Sequence, residues 1–211
     1  MRILLFGDSI GHGAWDERGG WVRIRMEYNR DSRLRTTPSS YPDFYNLSSS
    51  GDTSAHILAR IESGIIGFAQ PGNEPCAVVI AVGTNDAWML GGQPHVELAD
   101  YRNNLNQILA VACQHTDRLL VVGLPPVDED ETNPWLLSTD DLRMTNDRLR
   151  EYDDAARTLC AEQDIPFTSV MEKFLRAMQD EKLLADGVHP NERGHELIAE
   201  IVRPEIAKLV K

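Results

Sequence analysis

The sequence contains little cysteine and no long apolar run, and both absences narrow the kinds of protein that it can encode. Its three cysteines, Cys76, Cys113 and Cys160, form no Cys-x-x-Cys pair, which predicts reduced, buried thiols rather than a disulfide framework. No apolar stretch approaches the roughly 18 residues that span a bilayer. Only four strongly apolar residues separate Arg2 from Gly7, too few for a signal peptide, so we expect a cytoplasmic protein.

Basic residues are also scarce. The chain has 21 Lys and Arg against 33 Asp and Glu, a net charge of −12 at pH 7. Nucleic acids and anionic membranes both require a basic surface, so we expect neither partner and no stable membrane association. No internal repeat or linker divides the 211 residues, which predicts a single domain over 1–211. Charge and composition do not determine the oligomeric state.

Apolar runs alternate with amphipathic stretches along the chain, which predicts βαβ units and a three-layer α/β/α fold around a parallel sheet. Both common doubly wound strand orders are compatible with this pattern, and five strands favour the flavodoxin-like order 2-1-3-4-5. The predicted strands are 3–6, 44–47, 77–82, 119–122 and 165–168. The predicted helices are 21–28, 53–68, 96–113, about 140–163, 170–178 and 191–210, the last with a kink at Pro204. The predicted loops are 30–42, 70–75 and the acidic, exposed stretch 127–139.

Polar residues follow the first three strands at their carboxyl ends, where open α/β sheets bind ligands. Gly7 would turn the chain so that Ser9 faces outward as a nucleophile. Because strand one lies between strands two and three, with about 4.8 Å between neighbours, Ser9, Gly51 and Asn85 can surround one small volume. The N–H groups of Ser9 and Gly51 and the side-chain amide of Asn85 are suitable donors for an oxyanion.

A base is available near the C-terminus in Asp186-Gly-Val-His189. The Asp186 carboxylate can accept a hydrogen bond from Nδ1–H of His189, which leaves Nε2 free to accept the Ser9 proton. The fifth strand lies three positions, about 14 Å, from the first. The segment 170–189 must therefore fold back across the edge of the sheet.

These residues, in this order, resemble the four blocks of the SGNH (GDSL-type) hydrolases. The blocks are Gly7-Asp-Ser-Ile10, Gly51, Gly83-x-Asn85-Asp86 and Asp186-x-x-His189, and the stretch 46–54 resembles the thioesterase/arylesterase branch. Ile10 stands where the family's short name has Leu, and Thr84 where some members have Gly.

The resemblance implies a flavodoxin-like fold with Ser9 as nucleophile, His189 as base and Asp186 as the residue that orients it. It also implies an oxyanion hole formed by Ser9, Gly51 and Asn85, and it implies that neither a metal nor an organic cofactor is needed.

Each motif alone has an ordinary structural explanation. Gly-Asp-Ser is compatible with a turn, Asn85 with a helix cap, Gly51 with a left-handed turn and Asp186-x-x-His189 with a solvated loop. Their joint occurrence in this order favours the catalytic interpretation.

Several other side chains have two possible roles. Trp88 and Met89 follow the Asn85 turn and could bind substrate as the wall of an acyl pocket, or belong to the core. Trp135 could lie over the site or anchor its own loop. Asp8 could brace the nucleophile turn, and His195 is interpreted as structural.

We therefore expect a serine hydrolase that cleaves carboxylic esters through an acyl-enzyme on Ser9. Small acyl or acetyl esters are the favoured substrates and partners, with thioesters, lysophospholipids and acetylated sugars as further candidates. The alternative is a catalytically silent α/β domain that binds a carbohydrate or protein at the same edge. A metal-dependent phosphoesterase has no ligand cluster in the sequence to support it.

Overall fold

A parallel sheet of five strands forms the middle layer of the protein. The computed structural model describes residues 1–23, 42–68 and 76–210. Its strands are β1 (Arg2–Gly7), β2 (Asp43–Asn46), β3 (Cys76–Ala81), β4 (Met89–Leu90), β5 (Gln93–Pro94), β6 (Leu119–Val122), β7 (Leu142–Arg143) and β8 (Phe167–Thr168). The large sheet has the order β2-β1-β3-β6-β8, so the predicted order 2-1-3-4-5 is confirmed.

Helices cover both faces of this sheet. They are α1 (Ser9–His12), α2 (Ser54–Phe68), α3 (Leu98–His115), α4 (Glu129–Thr132), α5 (Asn146–Glu162), α6 (Met171–Ala177) and α7 (Glu192–Leu209), with a 3₁₀ turn at Trp21–Arg23. Alternate residues of β1 enter two separate apolar clusters. Leu4 and Phe6 pack with α2, α3 and α5, whereas Ile3 and Leu5 pack with α7. Burial on both faces explains why β1 is continuously apolar, and it confirms the three layers.

A second, smaller sheet was absent from the prediction. The hairpin of β4 and β5 pairs antiparallel with β7, in the order β5-β4-β7. The helix predicted from about residue 140 therefore begins only at Asn146, after Thr145, whose side chain accepts a hydrogen bond from Arg148 N–H at 3.3 Å. Two-residue strands are too short to produce a detectable alternation of apolar and polar residues.

Smaller differences follow from local packing. The stretch 127–139 is not simply an exposed loop, because it contains α4 and buries Val127 and Thr132. The last strand is shorter than predicted, and α7 continues through Pro204. Three predicted segments lie outside the described residues: the helix 21–28 beyond residue 23, the loop 30–42 up to residue 41, and the whole of the loop 70–75.

A buried carboxyl group joins α5 to the end of β6. Asp153 is 6% exposed, and its Oδ1 accepts a hydrogen bond from Leu124 N–H at 2.8 Å. Burial raises the pKa of Asp153 from 3.8 to about 6, although the hydrogen bond from Leu124 favours the charged form. The ionised carboxylate is therefore costly in the folded protein.

This raised pKa predicts a specific pH dependence for Asp153→Asn. The protonated carboxyl group stabilises the folded protein fully below about pH 3.8, and this stabilisation is lost as the pH rises through about 6. Relative to the wild type, the free energy of unfolding of the variant should rise by up to about 3 kcal/mol between about pH 4 and pH 7. Urea denaturation across this range measures the difference, with the exposed neighbour substituted in Asp154→Asn as the control. A difference for Asp153→Asn that does not change with pH would contradict the prediction.

Candidate active site

Ser9 lies at the carboxyl end of β1, as the first residue of α1. Asp8 caps this short helix, and its carboxylate accepts a hydrogen bond from Ile10 N–H at 2.9 Å. Burial raises the pKa of Asp8 to about 6, despite hydrogen bonds from the backbone of Ile10 and Gly11 that favour the charged form. The glycine before Asp8 is the last residue of β1, and lack of space favours glycine there. A Cβ on Gly7 would lie 2.8 Å from the carbonyl oxygen of Ala81 in β3.

Ser9, His189 and Asp186 form a continuous chain of hydrogen bonds. Ser9 Oγ lies 2.9 Å from His189 Nε2, and His189 Nδ1 lies 2.7 Å from Asp186 Oδ2. Asp186 Oδ1 also accepts from the backbone N–H groups of Val188 at 3.0 Å and His189 at 2.8 Å. Because the Asp186 carboxylate can only accept at Nδ1, it favours the His189 tautomer that carries its proton on Nδ1. This tautomer leaves Nε2 free to accept a hydrogen bond from the Ser9 hydroxyl.

The environment of Asp186 favours its charged form. Burial opposes ionisation, but the hydrogen bonds from the His189 ring and from two backbone N–H groups outweigh it and lower the pKa of Asp186 below its ordinary value. The carboxylate is therefore a charged acceptor that fixes the orientation of the imidazole.

The segment between α6 and α7 carries His189 back across the edge of the sheet. Ala185 N–H donates to the His189 carbonyl at 2.8 Å, which closes a tight turn. Gly187 in this turn has φ +84°, and a Cβ there would lie 2.6 Å from the Cβ of Glu131. Asn191 ends the segment by capping α7, with its Oδ1 accepting from Gly194 N–H at 3.0 Å. The gap of about 14 Å is thus crossed without a further strand.

The loops that carry Gly51 and Asn85 are linked by direct hydrogen bonds. Asn85 Nδ2 donates to the carbonyl oxygen of Asp52 at 2.9 Å. The buried Asp86 carboxylate accepts from Ser54 N–H at 3.0 Å and from Ser54 Oγ at 2.5 Å. Burial raises the pKa of Asp86, while the bonds from Ser54 favour the charged form. The two predicted oxyanion donors are therefore held in a fixed relation to each other.

Gly51 has φ +83°, and a Cβ there would meet no heavy atom within 4 Å. Its backbone conformation, rather than lack of space, therefore favours glycine.

A cavity of about 550 Å³ opens above Ser9. It is lined by Ser9, Ala14, Trp15, Ser50, Gly51, Asn85, Trp88, Leu90, His95, Trp135, Leu142, Val188 and His189. Most of the predicted site residues thus share one volume. Asp186 lies behind His189, and Met89 is not part of the lining, because the next residue of β4, Leu90, faces the cavity instead.

Sequence reasoning missed part of this lining. Leu90 and Leu142 come from the small sheet, whose strands are too short to be recognised, and Trp15 comes from the segment after α1. His95 Nδ1 donates to the Asn85 carbonyl oxygen at 2.8 Å, a contact that no motif indicated.

His195 has the structural role that was expected. Its Nδ1 accepts from Trp21 N–H at 3.2 Å, and its Nε2 donates to the Ala14 carbonyl oxygen at 3.0 Å. Burial lowers the pKa of His195, which favours the neutral ring that these two bonds require.

The part of the chain that the structure describes contains neither a metal-binding cluster nor a helix suited to a membrane. Within 1–23, 42–68 and 76–210, no group of three or more His, Cys, Asp or Glu side chains could hold a metal ion. No helix in these ranges is both long and apolar enough to cross a bilayer.

Comparison with known proteins identifies relatives along most of the chain. The sequence model of the GDSL-like lipase/acylhydrolase family matches residues 5–197. The GDSL esterase/lipase CPRD49 of Arabidopsis thaliana is 30% identical, over 100% of this chain and 78% of that protein. The isoamyl acetate-hydrolyzing esterase of Saccharomyces cerevisiae is 25% identical, over 100% of this chain and 86% of that protein.

Solved structures show the same fold. The lipase/acylhydrolase from Enterococcus faecalis matches with a TM-score of 0.72 and 23% identity, over 98% of this chain and 95% of that one. The acetylxylan esterase Axe2 from Geobacillus stearothermophilus matches with a TM-score of 0.73 and 19% identity, over 97% and 93%. The resemblance seen in the sequence is confirmed: the chain belongs to the GDSL-like lipase/acylhydrolase family and is a carboxylic ester hydrolase.

Proposed function

We propose that the protein hydrolyses small acyl or acetyl esters through an acyl-enzyme on Ser9, with His189 as general base and acid and Asp186 as the group that orients it. The observation that carries this proposal is the hydrogen-bond chain from Ser9 Oγ to His189 Nε2, at 2.9 Å, and from His189 Nδ1 to Asp186 Oδ2, at 2.7 Å. This geometry meets the requirement for an activated hydroxyl nucleophile.

In the first step Ser9 Oγ forms a bond to the ester carbonyl carbon while its proton moves to His189 Nε2. The negative charge that develops on the carbonyl oxygen is stabilised by the N–H groups of Ser9 and Gly51 and by the Asn85 amide. The carbon–oxygen bond to the alcohol then breaks, and His189 Nε2 gives its proton to the departing oxygen. The alcohol leaves, and the acyl group remains on Ser9.

In the second step water replaces the alcohol. His189 Nε2 accepts a proton from the water as its oxygen attacks the acyl carbon. Collapse of this intermediate breaks the bond to Ser9 Oγ, which recovers its proton from His189 and releases the carboxylic acid. Throughout, the charged Asp186 stabilises the transient imidazolium, and burial strengthens that interaction.

The cavity supports a short ester as the substrate. Its volume is about 550 Å³, and Trp88, Leu90, Trp135 and Leu142 make much of its wall apolar. Two relatives carry names that specify acetyl esters, an isoamyl acetate-hydrolyzing esterase and an acetylxylan esterase. We therefore favour acetyl and other short acyl esters over thioesters and lysophospholipids.

Substitution of the nucleophile tests this proposal. Ser9→Ala should lower kcat/KM on p-nitrophenyl acetate by about 10⁴-fold or more, because the substitution removes the hydroxyl that forms the acyl-enzyme. A fluorophosphonate probe should label the wild type once, at Ser9, as read by peptide mass spectrometry. Ser49→Ala provides a matched control, since Ser49 is exposed and does not line the cavity. Turnover by Ser9→Ala close to the wild-type rate would refute the mechanism.

The pH dependence of the reaction tests the base. Because the hydrogen bonds of Asp186 lower its pKa, this carboxylate stays charged well into the acid range. We expect kcat/KM to decrease as the pH is lowered from about 8 to about 5, because a histidine base must be neutral to accept the Ser9 proton. A profile that stays flat across this range, measured with intact protein, would exclude a histidine base.

A further inference from the structure

The acidic segment before β7, residues 127–139, packs directly on the turn that carries His189. Asp128 N–H donates to the Gly187 carbonyl oxygen at 2.8 Å, and Lys182 Nζ lies 3.2 Å from Glu131 Oε1. Trp135 Nε1–H donates to the Asp186 carbonyl oxygen at 3.0 Å. Contacts at Asp128, Glu131 and Trp135 thus hold the segment against the Asp186–His189 turn and the residues before it.

The indole of Trp135 is fixed from several directions and forms one wall of the cavity. Its ring centroid lies 6.4 Å from that of His189 and 5.3 Å from that of Trp88. The backbone N–H of Trp135 donates to the Leu142 carbonyl oxygen at 2.8 Å. The one polar group of the indole, Nε1–H, already donates to the Asp186 carbonyl oxygen. The indole therefore offers apolar surface to a ligand.

The chemistry determines which part of the ester meets this wall. The oxygen of the departing alcohol must lie close to His189 Nε2 to receive its proton. The carbonyl oxygen must point instead toward Gly51 and Asn85. The alcohol portion therefore extends on the His189 side of the cavity, alongside Trp135 and the neighbouring Leu142.

From this arrangement we propose that Trp135 determines specificity for the alcohol portion of the ester, and that the preferred substrates are short-acyl esters of apolar alcohols. This inference depends on the proposed function of Ser9 and His189. Trp88, which also lines the cavity and lies next to Trp135, belongs to the same wall on the alcohol side. An ester whose alcohol portion is a sugar would place hydroxyl groups against this apolar wall without hydrogen-bond partners, which is unfavourable.

A pair of substrates that share the acetyl group tests the proposal. Each buried methylene contributes about fourfold to binding, so the wild type should hydrolyse isoamyl acetate with a kcat/KM about tenfold or more above that for ethyl acetate. Trp135→Ala should reduce this ratio to within about threefold of unity. Trp135→Phe loses the N–H bond but keeps an aromatic wall, and it should retain most of the ratio even if kcat falls.

A second position keeps the test valid if Trp135→Ala does not fold. Leu142→Ala also removes apolar surface from the alcohol side, and it should lower the same ratio. Leu136→Ala is the control, because Leu136 is 68% exposed, adjacent to Trp135 and absent from the cavity lining. The ratio in this variant should equal that of the wild type.

The outcomes separate this inference from the proposed function. If fluorophosphonate labels Ser9 but the isoamyl-to-ethyl ratio is the same in the wild type, Trp135→Ala and Leu142→Ala, the role of Trp135 is refuted. A wild type that prefers an acetylated xylose to isoamyl acetate refutes the substrate class. A wild type that is not labelled at Ser9 and hydrolyses no ester refutes the proposed function itself.

Discussion

Burial of β1 on both faces is the constraint on which the rest of the molecule depends. A strand with a helix layer on either side cannot carry polar side chains in its middle, so polar residues are confined to its ends. Directly after β1 those residues are Asp8 and Ser9. Because the neighbouring strands are parallel, their polar loops emerge at the same edge, and the site forms there from segments distant in sequence.

Much of this arrangement could be predicted because it follows from local patterns. The apolar runs indicated the strands, their number favoured the observed strand order, and the polar turns after them indicated the edge where ligands bind. The Ser9, Gly51 and Asn85 turns were recognisable since each directly follows a strand. The predicted boundaries of α2, α3 and α7 differ from the observed ones by at most two residues, because their apolar stripes are long.

The parts that could not be predicted depend on contacts between short segments. A two-residue strand such as β4 or β7 forms only where it pairs with another strand. Neither the alternation of apolar and polar residues nor the composition of so short a segment indicates the pairing. The side chains that these strands contribute to the cavity were missed for this reason. The role of Trp135 was open in the same way, since its position depends on the return of the chain at Asp186.

Gly187 lies where two segments that are distant in the sequence meet, the turn that carries His189 and the segment that carries Trp135. Its backbone needs a positive φ, and its Cα lies so close to Glu131 that no side chain fits. The turn that aims the base and the segment that carries the cavity wall are therefore seated against each other without a spacer. An insertion or a bulkier residue at this contact would displace both together. Insertions or deletions in this segment that change substrate preference would thus also change the catalytic rate. Exchange of the Trp135 side chain, in contrast, leaves the backbone contact in place.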